Sequence, residues 1–309
     1  MLIHNVFSWR INMSDNMEMK PITPPGANPL AKHFRQPKIY IGLPSKGKYW
    51  PEGSIDYPEN GQIAIFAMTA KDEITMNTPD ALLNGQSTVD VIQSCVPCIK
   101  DAWQTPSIDL DALLVAIRVA TYGEKLTLKA KVPNTEIEKD YDLNLTGLLD
   151  KYANSTYEDV LRAGDFVVQI KPMPYKTFTN IAIKTFEEQR LLKTVQDEDM
   201  DQAEKLTRFQ KSFKAMTTMS VDMISDSISA IQYQEEDPVR NPQHIKDFVE
   251  NADASVFNAI KKHIEELKDK FTSKPIEVKA TEEEIKAGAP ATYEVPIVFD
   301  QSNFFGSGS

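Results

Sequence analysis

Two stretches of this chain, one in each half, do the same thing: each alternates apolar and polar residues and then runs straight into a helical pattern. "GQIAIFAMTAKDE" (61–73) and "GDFVVQIKPMPYKTF" (164–178) both read as a strand feeding a helix. In the first, the strand is expected to end at Met68, with Thr69 as N-cap and Asp72 and Glu73 in the first helical turn. The later elements of each half recur too. "LDALLVAIRVATYG" (110–123) puts Leu113, Leu114, Ile117 and Ala120 at helical spacing and stops at Gly123, and "ASVFNAIKKHIEELKDKF" (254–271) holds the matching place in the second half. "KLTLKAKV" with "YDLNL", and "PIEVKA" with "ATYEVPIVF", then read as two strand pairs. This order predicts an α+β fold of two related strand–helix–β-hairpin halves, derived from a tandem duplication.

The second half carries extra helix. Across "LTRFQKSFKAMTTMSVDMISDSISAIQY" (206–233), Leu206, Phe209, Phe213, Met216 and Met223 form one apolar stripe, so a long helix is expected over the whole stretch. Thr78-Pro79 reads as a further helix start with proline at the first position. Residues 1–36 are proline-rich without periodicity and read as a mobile arm, in which Met13 offers a second candidate start. The expected organisation is therefore the arm, an N-terminal half over 37–155, a C-terminal half over 156–305, and a flexible Gly/Ser tail at 306–309.

Charge and composition narrow the function classes. A net charge of −11 repels phosphate backbones and anionic lipid unless bases are segregated into a patch, so neither nucleic acid nor membrane is expected as a partner. No apolar run reaches the roughly 20 residues of a membrane span, the N-terminus lacks a signal-peptide pattern, and two cysteines are too few for a secreted disulfide framework. A cytosolic location is expected.

Several motifs invite a chemical reading and fail it. Cys95-Val-Pro-Cys98 has the spacing of a metal or redox pair, but no second cysteine pair exists and His4, His33, His244 and His263 show no paired spacing. Two half-buried cysteines are expected instead. Arg118 and Tyr122, four apart on one helix face, read as a solvated or packing pair. Asp197, Glu198, Asp199 and Asp201 lack the alternating-ligand loop of a calcium site and read as a solvated turn or helix start. "GLPSKGKYW" (42–50) lacks the spacing of a phosphate loop and reads as a surface turn. No catalytic constellation, metal site or cofactor site is expected, and hence no enzyme.

The order "GLPSKGKYW", "MTAKDEITMNTPDALLNG", "VIQSCVPCIKD", "DALLVAIRVATYGE" and "YDLNL" resembles the baseplate hub assembly proteins of T-even-like, contractile-tailed bacteriophages. "IKPMPYKTFTNIAIKTFEEQR" and "VPIVFDQSNFF" look like the C-terminal half of the same group, so the resemblance spans about residues 38–305. It implies a late phage protein of the host cell cytoplasm that helps the central hub of the tail baseplate assemble. The role implied is that of a chaperone, without small-molecule chemistry; a structural hub subunit retained in the virion baseplate is the alternative. Implied partners are phage baseplate hub or tail proteins, with self-association left open. Many relatives carry a cysteine knuckle between the strands of each hairpin, whereas "KAKVPNTEIEKDYDL" and "KATEEEIKAGAPATYEV" contain no cysteine.

Two features are candidates for partner binding. In "YEVPIVFDQSNFF", Val295, Ile297 and Phe299 should share a strand face, "DQSN" should turn the chain, and Phe304 and Phe305 then either plug the protein's own surface or anchor a hub protein. Met216 and Met223 in the helical stripe belong either to a helix–helix core or to an adaptable partner surface.

Overall fold

The computed structural model describes residues 30, 34–78, 85–197 and 201–297. Contacts divide the chain into two units, Met1–Arg35 and Gln36–Ser309. The arm, the helix start at Thr78-Pro79 beyond Thr78 itself, and the tail fall largely or wholly outside the described residues.

The second unit has the expected α+β build. An antiparallel pair, β1 (Pro37–Ile41) and β2 (Ile63–Phe66), is followed by α1 (Ala70–Met76), α2 (Gln86–Cys95), a 3-10 turn at Ala102–Gln104, and α3 (Ser107–Tyr122). The hairpin of β3 (Lys125–Lys131) and β4 (Glu138–Asn144) and the helix α4 (Leu145–Asn154) complete the first half. The second half opens on β5 (Val160–Ala163) and β6 (Phe166–Ile170), then two long helices, α5 (Tyr175–Asp197) and α6 (Gln202–Asp226). The strand β7 (Ile228–Tyr233) returns to pair with β6, and α7 (Pro242–Asn251), α8 (Ala254–Phe271), β8 (Ile276–Lys279), α9 (Glu282–Lys286) and β9 (Thr292–Val295) come after it. The halves differ in detail: the second adds β7 to its opening pair, giving a three-stranded sheet, and carries α9 between the strands of its last pair.

Local chemistry sets these boundaries. Thr69 accepts a hydrogen bond from the Asp72 N–H at 3.2 Å, and the Asp72 carboxylate accepts one from the Thr69 N–H at 2.8 Å. That reciprocal capping box starts α1 after a strand that ends at Phe66, two residues before the expected Met68. Helix α3 buries Asp109, Ala112, Leu113, Ala116, Ile117 and Ala120, a stripe at steps of three and four, and ends at Gly123, whose φ of 94° favours glycine. The stretch 206–233 is not one helix: α6 stops at Asp226, and "ISAIQY" crosses to β6 with Val168 opposite Ile231. Ile228, Ala230 and Ile231 are buried there, so sheet pairing and core burial override the helical continuation. Strand β9 also ends early, at Val295.

Three apolar clusters result. The first gathers Ile63, Ile65, Val89, Ile92, Leu113, Ile117 and Leu126 between the β1–β2 pair and α2, α3 and α4. The second lies under β5–β6–β7, with Val168, Ile224, Ile231, Ile260 and Leu267. The third joins the hairpins of the two halves: Val132 and Tyr141 pack on Tyr293 and Val295, and the two tyrosine hydroxyls share a hydrogen bond of 2.9 Å. Lys139 donates to Glu284 at 2.8 Å across the same seam. Without knuckle cysteines, aromatic packing and a salt bridge join these hairpins.

Candidate functional site

"GLPSKGKYW" is a turn with Lys46 and Lys48 exposed, but it is anchored in the fold and not simply laid on the surface. Leu43, Pro44 and Ser45 are buried, and Lys46, Gly47 and Tyr49 all adopt positive φ, at 54°, 78° and 73°. Such a run persists only where the surroundings over-determine it. Here they do. Asp109 on α3 accepts from the Ser45 N–H at 2.8 Å, the Ser45 hydroxyl at 2.5 Å and the Trp50 indole N–H at 2.8 Å. On the other side, Asp159 accepts from Lys48 at 2.5 Å and the Tyr49 hydroxyl at 3.0 Å, and Tyr49 meets Tyr157 edge-on. The loop is therefore a clamp between α3 of the first half and the entrance to β5 of the second. Complete burial pushes the Asp109 carboxyl up to about 6 against the opposing pull of its hydrogen-bond donors. Burial also opposes ionisation of Asp159, but hydrogen bonds from Lys48 and Tyr49 outweigh it and hold that carboxyl below its ordinary range.

The other titratable groups that stand out in the sequence are also committed to packing. Arg118 is 1 % exposed, stacks on the Tyr122 ring at 4.5 Å, and is pulled down by burial. The Tyr122 hydroxyl donates to Glu73 at 2.7 Å, joining α3 to α1, and burial first, then that hydrogen bond, pushes the phenol up to about 12. Cys95 is fully buried and Cys98 partly so, and neither is in a disulfide. Among the described residues no three His, Cys, Asp or Glu side chains group as metal ligands, and no helix is long and apolar enough to cross a membrane. Asp197 closes α5 and Asp201 precedes α6, with residues 198–200 outside the described set.

The antiparallel pair α5–α6 differs from everything else in the unit. Its root is pinned on both sides. Tyr175 belongs to the first core, stacks on Trp103 with ring centroids 5.7 Å apart, and bonds through its N–H to the Thr105 carbonyl, while Ile224 belongs to the second core. Gly85, at φ +77°, lies so close that an added Cβ would meet the Tyr175 hydroxyl at 2.9 Å. Away from this root, large apolar side chains face outward: Phe186 and Phe213 are each 61 % exposed, Leu206 60 %, Leu191 49 % and Phe178 43 %. A groove of about 290 Å³ is lined by Met173, Phe178, Ile181, Ala182, Phe186 and Met223, with Thr185 and Gln189.

Helical geometry makes this one surface. Phe178, Ala182 and Phe186 recur every four residues on α5, and on α6 the positions 209, 216 and 223 repeat at sevens beside 206 and 213. Met223 is in the groove wall and Met216 is half-buried one heptad before it. Helix α6 also bends hydroxyls back onto its own carbonyls, with Thr207, Thr217, Thr218, Ser220 and Ser225 each bonding to the residue four before. Such back-bonds weaken and bend a helix slightly, which suits a surface that adapts. The contribution of α5, carried by Phe178 and Phe186, was missed by sequence reasoning, although "FTNIAIKTF" has the spacing. Phe304 and Phe305 lie outside the described residues.

A second cleft, between α6, β7 and α7, is polar: Lys246 pairs with Asp222 at 2.6 Å, beside Asp226, Lys171 and Arg240, and the isoleucines that line it, Ile228 and Ile245, are buried. The apolar face is thus the stronger candidate, and what it offers is a protein-docking surface.

No curated protein and no solved structure matches the chain. The family model described as T4 bacteriophage base plate protein matches residues 43–287, from the clamp loop to the end of α9. With that match covering well over half its length, this chain belongs to the T4 bacteriophage base plate protein family.

Proposed function

We propose that this protein is a baseplate hub assembly chaperone, a binding protein without small-molecule chemistry that engages hub proteins transiently in the host cytoplasm during tail morphogenesis. The observation that carries the reading is the α5–α6 face. Four large apolar side chains, Phe178, Phe186, Leu206 and Phe213, stand outward on this face of a helix pair whose root is fixed in two cores. Stranded apolar area of this kind marks a surface completed by another molecule. Met223 in its wall and the back-bonded hydroxyls along α6 make that surface adaptable, as transient holding of a partner requires.

The family description itself favours a second reading, a structural subunit retained in the baseplate of the virion. Purified particles separate the two. Tagged protein from infected cells should bring down baseplate hub proteins while finished virions lack it. Fixed stoichiometry in virions would sink the chaperone reading and leave the structural one.

A further inference from the structure

The apolar face also constrains what can sit on it. Helices α5 and α6 spend their own backbone N–H and C=O groups internally, so the face offers an incoming chain no main-chain partners. An extended segment buried there would leave its backbone unpaired; a helix would not. Length agrees. Leu206 and Met223 are 17 positions apart, about 25 Å of helix, which matches a partner helix of four to five turns. Phe178 and Phe186 on one side, with Phe213 and Leu206 on the other, leave the seat for a third helix packed against both.

Charge selects among helices. The whole chain is at −11, yet from Lys205 to Val221 helix α6 holds Lys205, Arg208, Lys211 and Lys214 and no acidic residue. Lys211 and Lys214 are exposed and have no ion-pair partner among the described residues; Arg208 is paired with Glu204 within its own helix. Lys214 follows Phe213 by one position and stands at the rim of the face, while Lys211, about 200° round the helix from Phe213, acts on it only across the roughly 10 Å width of the helix, about one Debye length at 0.1 M salt. A second copy would bring the same bases to the same place, and the partner is therefore better matched by acid.

Resting on the docking reading, we propose that the α5–α6 face takes the third helix of a three-helix bundle from a partner protein, and that this helix is amphipathic with acidic residues flanking its apolar stripe. The test uses the full chain and two labelled synthetic helices of about 20 residues with the same Leu/Phe stripe, one flanked by Glu and one by Lys. Anisotropy should give the Glu-flanked helix about tenfold tighter binding, a gap that narrows as salt rises. Lys214→Glu, at the rim, should narrow the preference more than Lys211→Glu on the far side, and Phe186→Glu/Phe213→Glu, at exposed sites and with an unchanged unfolding midpoint, should abolish binding. Equal or tighter binding of the Lys-flanked helix overturns the acidic assignment while leaving the docking reading intact. Undiminished peptide binding by the Phe186→Glu/Phe213→Glu chain places the contact elsewhere and overturns both. Concentration-dependent pairing of the full chain that those two substitutions abolish, with neither peptide bound, assigns the face to a second copy instead.

Discussion

The clamp loop at 43–50 and the α5–α6 helix pair are both irregular demands on the chain, and they are met in opposite ways. In the clamp the polar groups find partners across the fold: Ser45 and Trp50 on Asp109, Lys48 and Tyr49 on Asp159. In the helix pair the root is bonded and stacked, but Phe186, Phe213 and Leu206 find no apolar cover along the exposed stretch. The clamp is complete within the chain. The helix face is a surface whose free energy is realised only when something else covers it. Local strain, as at Lys46 and Tyr49, thus marks structure here, and the proposed docking face stands on two regular long helices.

The contrast predicts where substitution hurts. Asp109→Ala should have the largest effect, about 3–5 kcal/mol by chemical denaturation, because two buried donors and one part-buried donor lose their acceptor together. Gly47→Ala should come next, at roughly 2–3 kcal/mol, since φ is +78° and the new Cβ would meet the Tyr57 ring at 2.7 Å. A Gly47→Ala chain as stable as wild type would mean the loop is looser than the clamp geometry states.

The two clamp carboxylates also sharpen the comparison through pH, with opposite signs. Asp109 has a folded pKa raised from 3.8 to about 6, so the folded state binds the extra proton between those values and stability rises as pH falls through that window. Against Asp109→Asn as reference, wild type should gain on the order of 2–3 kcal/mol from neutral pH to about pH 4. Asp159 is depressed, so its contribution is complete above about pH 4 and is lost as pH falls through its folded pKa, below that value. An Asp159→Asn chain should therefore be the less acid-sensitive of the two, and it should lose only about 0.5–1 kcal/mol at neutral pH, because Lys48 is largely exposed.

How much of this was legible in the sequence depends on how far each signal reaches along the chain. The capping box at Thr69 and Asp72, the stripe of α3 with its Gly123 stop, the hairpins and α8 are set by neighbours, and the residues announce them. The end of α6 did not announce itself. Ser227 is neither glycine nor proline, and "ISAIQY" suits either period until β6, about 60 positions earlier, claims it. The clamp was illegible for the same reason: Ser45 and Asp109 are 64 positions apart. One signal was present there, an acidic residue on the buried stripe of α3, which demands a donor from somewhere. The apolar stripe of Leu206, Phe213, Met216 and Met223 was readable as a stripe, but whether it faced core or partner depended on α5, whose Phe178 and Phe186 extend the surface instead of covering it.

The smallest expected effect on stability belongs to the open face and is the most informative. Phe186→Glu/Phe213→Glu should change the unfolding free energy by no more than about 0.5 kcal/mol per site, as exposed positions do. Capture of baseplate proteins from infected cells by this variant, beside wild type at equal expression, tests the central claim most directly. Loss of capture with an unchanged unfolding midpoint is the predicted result; capture equal to wild type would contradict the assignment of the α5–α6 face as the docking surface.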